Sequence, residues 1–92
     1  MADDTVRRHV TAEGEVQGVF FRETARRKAT EAGVAGWITN RSDGKVEAVF
    51  EGPLEAVDEL VEFCHDGPTA ATVEKIDVRE EEPEGLTGFD VR

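Results

Sequence analysis

The chain is poor in cysteine, lysine and long apolar runs. Of its 92 residues only one is cysteine, Cys64, which excludes an internal disulfide and any multi-cysteine metal or iron–sulfur site. No apolar run approaches the roughly 18 residues that span a bilayer, and the acidic stretch Met1 to Asp4 lacks the apolar segment of a signal peptide. We therefore expect a soluble, cytoplasmic protein with no membrane partner, preceded by a flexible N-terminus at residues 1–4.

Positive charge is also scarce. Eleven lysines and arginines stand against 21 acids, so the formal net charge is −10. Nucleic acid is not expected as a partner, because phosphate-backbone binding needs a basic surface. Through Val46 there are eight cations and seven acids, whereas the remainder has three cations and 14 acids. With only three lysines in the chain, this acidity is interpreted as an adaptation to high salt rather than as an ordinary low isoelectric point.

The apolar residues, 38% of the chain, suffice for one core, so residues 1–92 are expected to form a single domain. Apolar periodicity alternates between about 2 and about 3.6 residues, which separates strands from helices. Gly33 and the Asp66-Gly67-Pro68 stretch indicate helix ends, and Ser42-Asp43-Gly44 indicates a hairpin turn with positive φ at Gly44. In chain order, the predicted elements are a strand at Val6–Gly14, a helix at Phe21–Ala32, a hairpin of Gly36–Arg41 and Lys45–Glu51, a helix from Gly52-Pro53 to Asp66, a strand at Thr72–Arg79 and a short strand at Gly88–Arg92.

This order predicts an α+β fold of the ferredoxin-like βαββαβ type. Two helices of about a dozen residues cannot cover both faces of such a sheet, so both are expected on one face of an antiparallel sheet, with a short extra C-terminal strand. The fold alone does not indicate a function.

The connection from the first strand to the first helix contains the chemistry. It runs from Gly14 to Arg22 and places two glycines, Gly14 and Gly18, and an arginine at a helix start. Unpaired N–H groups at a helix N-terminus, a glycine that permits close approach and a guanidinium together suit a phosphate-like anion.

Residues 14–22 read Gly-Glu-Val-Gln-Gly-Val-Phe-Phe-Arg and closely resemble the acylphosphatase signature Gly-x-Val-Gln-Gly-Val-x-Phe-Arg. A second segment, Gly36 to Glu47, resembles the family's other motif, in which an aromatic residue, an asparagine and Gly-x-Val-Glu follow a glycine. The resemblance covers essentially the whole chain, since the order of elements is also that of the family.

The resemblance implies an acylphosphatase that hydrolyses the carboxyl–phosphate bond of small acyl phosphates without a metal or other cofactor. The sequence does not indicate an oligomeric state, so a monomer is the default expectation. It implies two catalytic residues, Arg22 for the phosphoryl group and Asn40 for the attacking water. From its place in the predicted turn after Asn40, Ser42 is expected to be a supporting residue that caps the turn or orients Asn40. The implied phosphate-binding loop comprises Glu15, Val16, Gln17, Gly18, Val19, Phe20 and Phe21.

The alternative is a non-catalytic ferredoxin-like module that binds a phosphorylated ligand or a protein partner. Arg22 serves either function, whereas a water-holding Asn40 is needed only for hydrolysis, so the sequence favours the enzyme. Cys64 lies on an apolar helical stripe and is expected in the core. His9 and His65 do not form a ligand set, and no segment of the sequence selects the acyl group.

Overall fold

A computed structural model describes residues 5–92, so the flexibility expected of residues 1–4 lies outside the described part of the chain. The predicted order of elements is confirmed, with boundaries that move by a few residues. The elements are β1 (Thr5–Glu15), α1 (Phe21–Ala32), β2 (Ala35–Asn40), β3 (Val46–Pro53), α2 (Leu54–Asp66), β4 (Thr72–Glu81) and β5 (Phe89–Val91). Within residues 5–92, neither helix is long and apolar enough to cross a membrane.

The five strands form one sheet in the order β4-β1-β3-β2-β5. The pairs β1–β3, β1–β4 and β2–β3 are antiparallel, but β5 runs parallel to β2. The four strands of the βαββαβ unit therefore form the predicted antiparallel sheet, and the short extra C-terminal strand makes the whole sheet mixed, because it adds to the edge in parallel orientation. The reason is the path of residues 82–88, which cross one end of the sheet from β4 to the start of β2, where Gly36 pairs with Phe89.

The core lies between the two helices and one face of the sheet. Phe21, Ala25 and Ala29 of α1 are buried, and small side chains at two of these positions let the helix approach the sheet closely. From α2, the buried residues are Val57, Leu60 and Cys64. Leu54, the first residue of α2, is 42% exposed. The sheet contributes Val10, Ala12, Ile38, Val46, Ala48 and Phe50.

The opposite face of the sheet is charged, yet it is partly closed to solvent. The alternation of β1 places Arg7 on this face, where we expect exposure, but Arg7 is only 7% exposed. Arg7 donates to Glu51, which is itself 3% exposed, and to Glu81, at 3.2 and 2.8 Å. The carboxylate of Glu51 also accepts N–H groups from Glu84, Gly85 and Leu86 of the crossing segment, so this segment shields the pair from water.

Gly14 redirects the chain from β1 toward the loop that precedes α1. The register of β1 against β4 shifts between Glu13 and Gly14, which marks a β-bulge. Gly14 has a φ of 129°, and a Cβ there would lie 2.3 Å from the carbonyl oxygen of Thr72. No residue with a side chain fits this approach, so the bulge fixes where the loop begins.

Candidate active site

The loop between β1 and α1 presents its backbone N–H groups. Gly18 and Phe20 both adopt left-handed conformations, with φ of 73° and 64°. The N–H groups of residues 17–20 donate to no acceptor within residues 5–92. Successive N–H groups in such a turn, at the N-terminus of a helix, form a concave anion-binding surface.

Phe20 is an unusual residue for its position. It is the one non-glycine residue with positive φ in the described chain, and for an L-residue this conformation costs about 1–2 kcal/mol. It precedes α1, where serine, threonine, asparagine and aspartate are favoured, and it makes no side-chain capping bond. Its side chain is 79% exposed.

Gln17 connects this loop to the turn between β2 and β3. Its side-chain amide donates to the carbonyl oxygens of Arg41 and Lys45, at 2.7 and 3.0 Å. These two residues flank the β-turn directly. The N–H of Arg41 also donates to the carbonyl oxygen of Lys45 at 2.8 Å. Gln17 thereby holds the loop beside Asn40, the last residue of β2.

Arg22, in the first turn of α1, is positioned by the end of the sheet. Its Nη1 donates to the main-chain oxygen of Arg92 at 2.9 Å. Arg92 is in turn fixed to β2: its N–H donates to Ile38 at 2.8 Å, and its guanidinium lies 4.8 Å from the centre of the Trp37 ring. The remaining N–H donors of the Arg22 guanidinium are oriented by this contact and could grip two oxygens of one phosphoryl group.

Asn40 provides a buried polar atom without a partner. Its Oδ1 is inaccessible to bulk solvent and accepts no hydrogen bond from any group within residues 5–92. Buried side-chain oxygens in proteins are nearly always satisfied, so an unsatisfied one calls for a functional explanation. Oδ1 is an acceptor, the kind of atom that can receive a hydrogen bond from a water molecule.

One cavity, of about 260 Å³, brings these groups together. Its lining residues are Val16, Gly18, Phe20, Phe21, Arg22, Glu23, Asn40 and Val91.

Three residues of the predicted phosphate-binding loop do not line this cavity. Glu15 is the last residue of β1 and pairs with Thr72, Gln17 holds the turn, and Val19 packs against the core. Sequence reasoning did not identify Glu23 and Val91 as neighbours of the site. Glu23 follows Arg22, the last residue of the motif, so its position next to the site could have been predicted from the sequence. Val91 comes to the cavity through the parallel pairing of β5 with β2.

In the turn that contains Ser42, the side chain that forms hydrogen bonds is that of Asp43. Ser42 is exposed, and within the described chain it forms no hydrogen bond with Asn40. Asp43 Oδ1 accepts the N–H of Lys45 at 3.2 Å, and its Oδ2 accepts from Arg41 at 2.9 Å. These contacts lower the pKa of Asp43, with the N–H of Lys45 as the largest cause. Gly44 has the predicted positive φ, 92°.

Two further titratable residues have shifted pKa values: Cys64, which lies in the core, and Glu23, which lines the cavity. Burial raises the pKa of the Cys64 thiol to about 12, so Cys64 is a core residue, as expected. Glu23 pairs with Arg26 on the next turn of α1, and this hydrogen bond lowers the pKa of Glu23. Among the described residues, no three His, Cys, Asp or Glu side chains converge in a way that could hold a metal ion.

Known proteins share both the sequence and the fold. A sequence model of the acylphosphatase family matches residues 8–91. The curated acylphosphatase of the halophilic archaeon Haloquadratum walsbyi is 51% identical over 92 residues, which is 100% of this chain and 99% of that protein. The acylphosphatase of Gloeobacter violaceus is 56% identical over 86 residues, 94% of this chain and 92% of that protein.

Among solved structures, an acylphosphatase from Coxiella burnetii matches with a TM-score of 0.91 and 40% identity, covering 97% of this chain and 94% of that one. Sequence, fold and the course of the loop into α1 therefore agree, and the chain belongs to the acylphosphatase family, the enzymes that hydrolyse acyl phosphates.

Proposed function

We propose that the chain hydrolyses small acyl phosphates to carboxylate and phosphate without a metal, with Arg22 and the loop amides binding the phosphoryl group and Asn40 positioning the water. The observation that carries the proposal is the unpartnered Oδ1 of Asn40 in the cavity that Arg22 and the loop also line. A module that only binds a phosphorylated ligand needs Arg22 and the loop N–H groups, but it has no use for this acceptor.

Binding of the phosphoryl group rests on donors that are fixed before substrate arrives. The N–H groups of residues 17–21 project from a loop whose conformation is set by Gly18 and by the hydrogen bonds of Gln17. Arg22 is oriented by its bond to Arg92. Preorganised donors of this kind stabilise charge on phosphoryl oxygens without reorganising during the reaction.

Asn40 acts on the attacking water. Its Oδ1 accepts one O–H of the water, which directs a lone pair of the water oxygen at phosphorus. An amide is too weak a base to take a proton from this water at neutral pH. The proton of the other O–H therefore passes to a phosphoryl oxygen of the substrate. The new P–O bond forms as the bond between phosphorus and the carboxyl oxygen breaks. The leaving carboxylate, from an acid with a pKa of about 4, departs without needing a proton.

The direct test is turnover of acetyl phosphate, with 4-nitrophenyl phosphate as the control substrate and with the enzyme dialysed against EDTA. We expect hydrolysis of the acyl phosphate at an unchanged rate after chelation and little or none of the monoester, because its 4-nitrophenolate leaving group is more basic than a carboxylate and leaves less readily. Activity that disappears on chelation and returns with one divalent metal would contradict the metal-free mechanism.

The proposal further describes a monomer that acts in the cytoplasm on a small molecule, with neither nucleic acid nor membrane as a partner. The net charge of −10 supports the monomer, because like-charged chains repel one another. It also argues against nucleic acid, which is a polyanion. Sedimentation analysis in the presence and absence of substrate tests the monomer.

A further inference from the structure

The cavity has a polar part and an apolar part. Arg22 and Asn40 belong to the polar part, which the proposed function assigns to the phosphoryl group and the water. Four of the eight lining residues are apolar: Val16, Phe20, Phe21 and Val91. Val16 and Phe21 are buried and serve the core, whereas Phe20 and Val91 are exposed. The two exposed residues are available to a ligand.

Exposure of large apolar side chains is concentrated at this cavity. The described chain exposes four of them, Phe20, Leu54, Val78 and Val91, and two of the four line the same cavity. Phe20 comes from the start of α1 and Val91 from β5, so two distant parts of the chain meet here. Surface apolar residues that converge beside a polar site are typical of a ligand-binding wall.

The fold itself does not call for phenylalanine at position 20. The left-handed φ of 64° favours glycine or asparagine, and the position before the helix favours a residue that can cap it. The ring is 79% exposed, so it adds little to the core. Backbone strain combined with an exposed ring points to a role in contact with something outside the folded chain.

We propose that Phe20, together with Val91, binds the acyl substituent and makes the enzyme selective for acyl phosphates with an apolar, above all aromatic, acyl group. The inference rests on the proposed function and names the substrate class of that site. With the phosphoryl group on the loop amides and Arg22, the acyl group extends past the ring of Phe20. An aromatic acyl group stacks on that ring, whereas an acetyl group covers only a small part of it. The cavity, of about 260 Å³ and open to solvent, has room for a phosphoryl group together with a single ring or a short chain.

The test compares kcat/KM for benzoyl phosphate and acetyl phosphate in the wild type and in three variants. Phe20→Asn removes the ring and places at this position a residue that adopts left-handed φ and caps helices, so the backbone of the loop is retained. Phe20→Tyr keeps the ring. Leu54→Asn is the matched control, since it exchanges an exposed apolar residue for asparagine at the other helix start, outside the cavity.

We expect the ratio of kcat/KM for benzoyl phosphate to that for acetyl phosphate to fall about tenfold in Phe20→Asn, mainly through KM, and to keep the wild-type value in Phe20→Tyr and Leu54→Asn. Calorimetric binding of phenylphosphonate and methylphosphonate should show the same loss of preference independently of turnover. An unchanged ratio, or an equal loss with both substrates, overturns the selectivity while the hydrolysis stands. A wild type that turns over neither acyl phosphate overturns the proposed function itself.

Discussion

Arg22 and Asn40 line one cavity but belong to different elements, and their roles can be separated by mutation. Arg22→Gln removes the charged grip on the phosphoryl oxygens, so we expect weaker binding of inorganic phosphate together with a loss of about 10²-fold in kcat/KM. Arg27→Gln, at an exposed position of the same helix outside the cavity, is the matched control. Inhibition by phosphate and steady-state turnover of acetyl phosphate measure both effects.

Asn40→Ala should leave phosphate binding close to that of the wild type while kcat falls about 10²-fold. The variant loses the acceptor for the water, but it retains Arg22 and the loop N–H groups. Ser42→Ala, which changes an exposed hydroxyl in the neighbouring turn, should have wild-type kinetics. If Asn40→Ala hydrolysed acetyl phosphate at the wild-type rate, its role in positioning the water would be refuted.

For individual residues, the first sequence motif predicted most of the residues that line the cavity, because they lie close together in the chain. Val16, Gly18, Phe20, Phe21 and Arg22 lie in one stretch of chain whose geometry follows from two glycines and a helix start. The structure places all of them at the cavity. The individual tasks within the stretch could not be predicted, because they depend on which groups of a distant turn each side chain meets.

Among the elements, the segment of residues 82–88 has the clearest energetic consequence. The carboxylate of Glu51 is buried, and burial acts to raise its pKa. The N–H groups of Glu84, Leu86 and Gly85, together with Arg7, outweigh this effect and bring the pKa below its ordinary value of 4.5. Glu51 therefore stabilises the fold above about pH 4.5, and this stabilisation is lost as the pH falls through its lowered pKa.

Glu51→Gln should lower the free energy of unfolding by about 3 kcal/mol at pH 7, because it removes the buried one of the carboxylates that pair with Arg7 and places an amide NH₂ against N–H donors. The variant should also lose less stability than the wild type between pH 5 and pH 3, a window set by the direction of the Glu51 shift. Urea titrations across this range measure both. Glu80→Gln, where the side chain is 83% exposed, should change the unfolding free energy by less than about 1 kcal/mol.

The position of β5 shows why part of the element arrangement could not be predicted. Periodicity identified the strand itself, and the bounds of α1 were predicted without error, because Gly33 and the apolar spacing are local signals. The pairing partner of a three-residue strand is not a local property. It follows from the carboxylate of Glu51, which holds residues 84–86 across the end of the sheet and delivers the chain to β2.

For the whole molecule, charge should couple stability to salt. The exposed side of α2 carries five acids, and at 0.01 M salt their repulsion extends over a Debye length of about 30 Å, against about 3 Å at 1 M. The acids near residue 80 have cationic partners on β1: Glu80 pairs with Arg8, and Glu81 and Glu84 pair with Arg7. We therefore expect most of the gain from salt to come from α2.

We expect molar potassium chloride to raise the midpoint of thermal unfolding by about 5 °C or more, which corresponds to roughly 1 kcal/mol in a domain of this size. The double variant Asp58→Asn/Glu62→Gln, which removes a like-charged i,i+4 pair from α2, should show a smaller gain, and Glu80→Gln should not. Thermal melts over a salt series measure this. A midpoint that is the same at low and molar salt would refute the adaptation to high salt.

The charged residues of the outer strand, β4, have a consequence of their own. β4 has ten residues, lies at the edge of the sheet and is almost wholly exposed, so its free backbone groups could pair with another molecule. Six of its residues, Glu74, Lys75, Asp77, Arg79, Glu80 and Glu81, are charged. Their mixed signs keep the strand hydrated even where salt screens the repulsion between whole molecules. The acids of α2 repel other molecules at long range. The charged side chains of β4 hinder a strand of another molecule from pairing with the edge of the sheet.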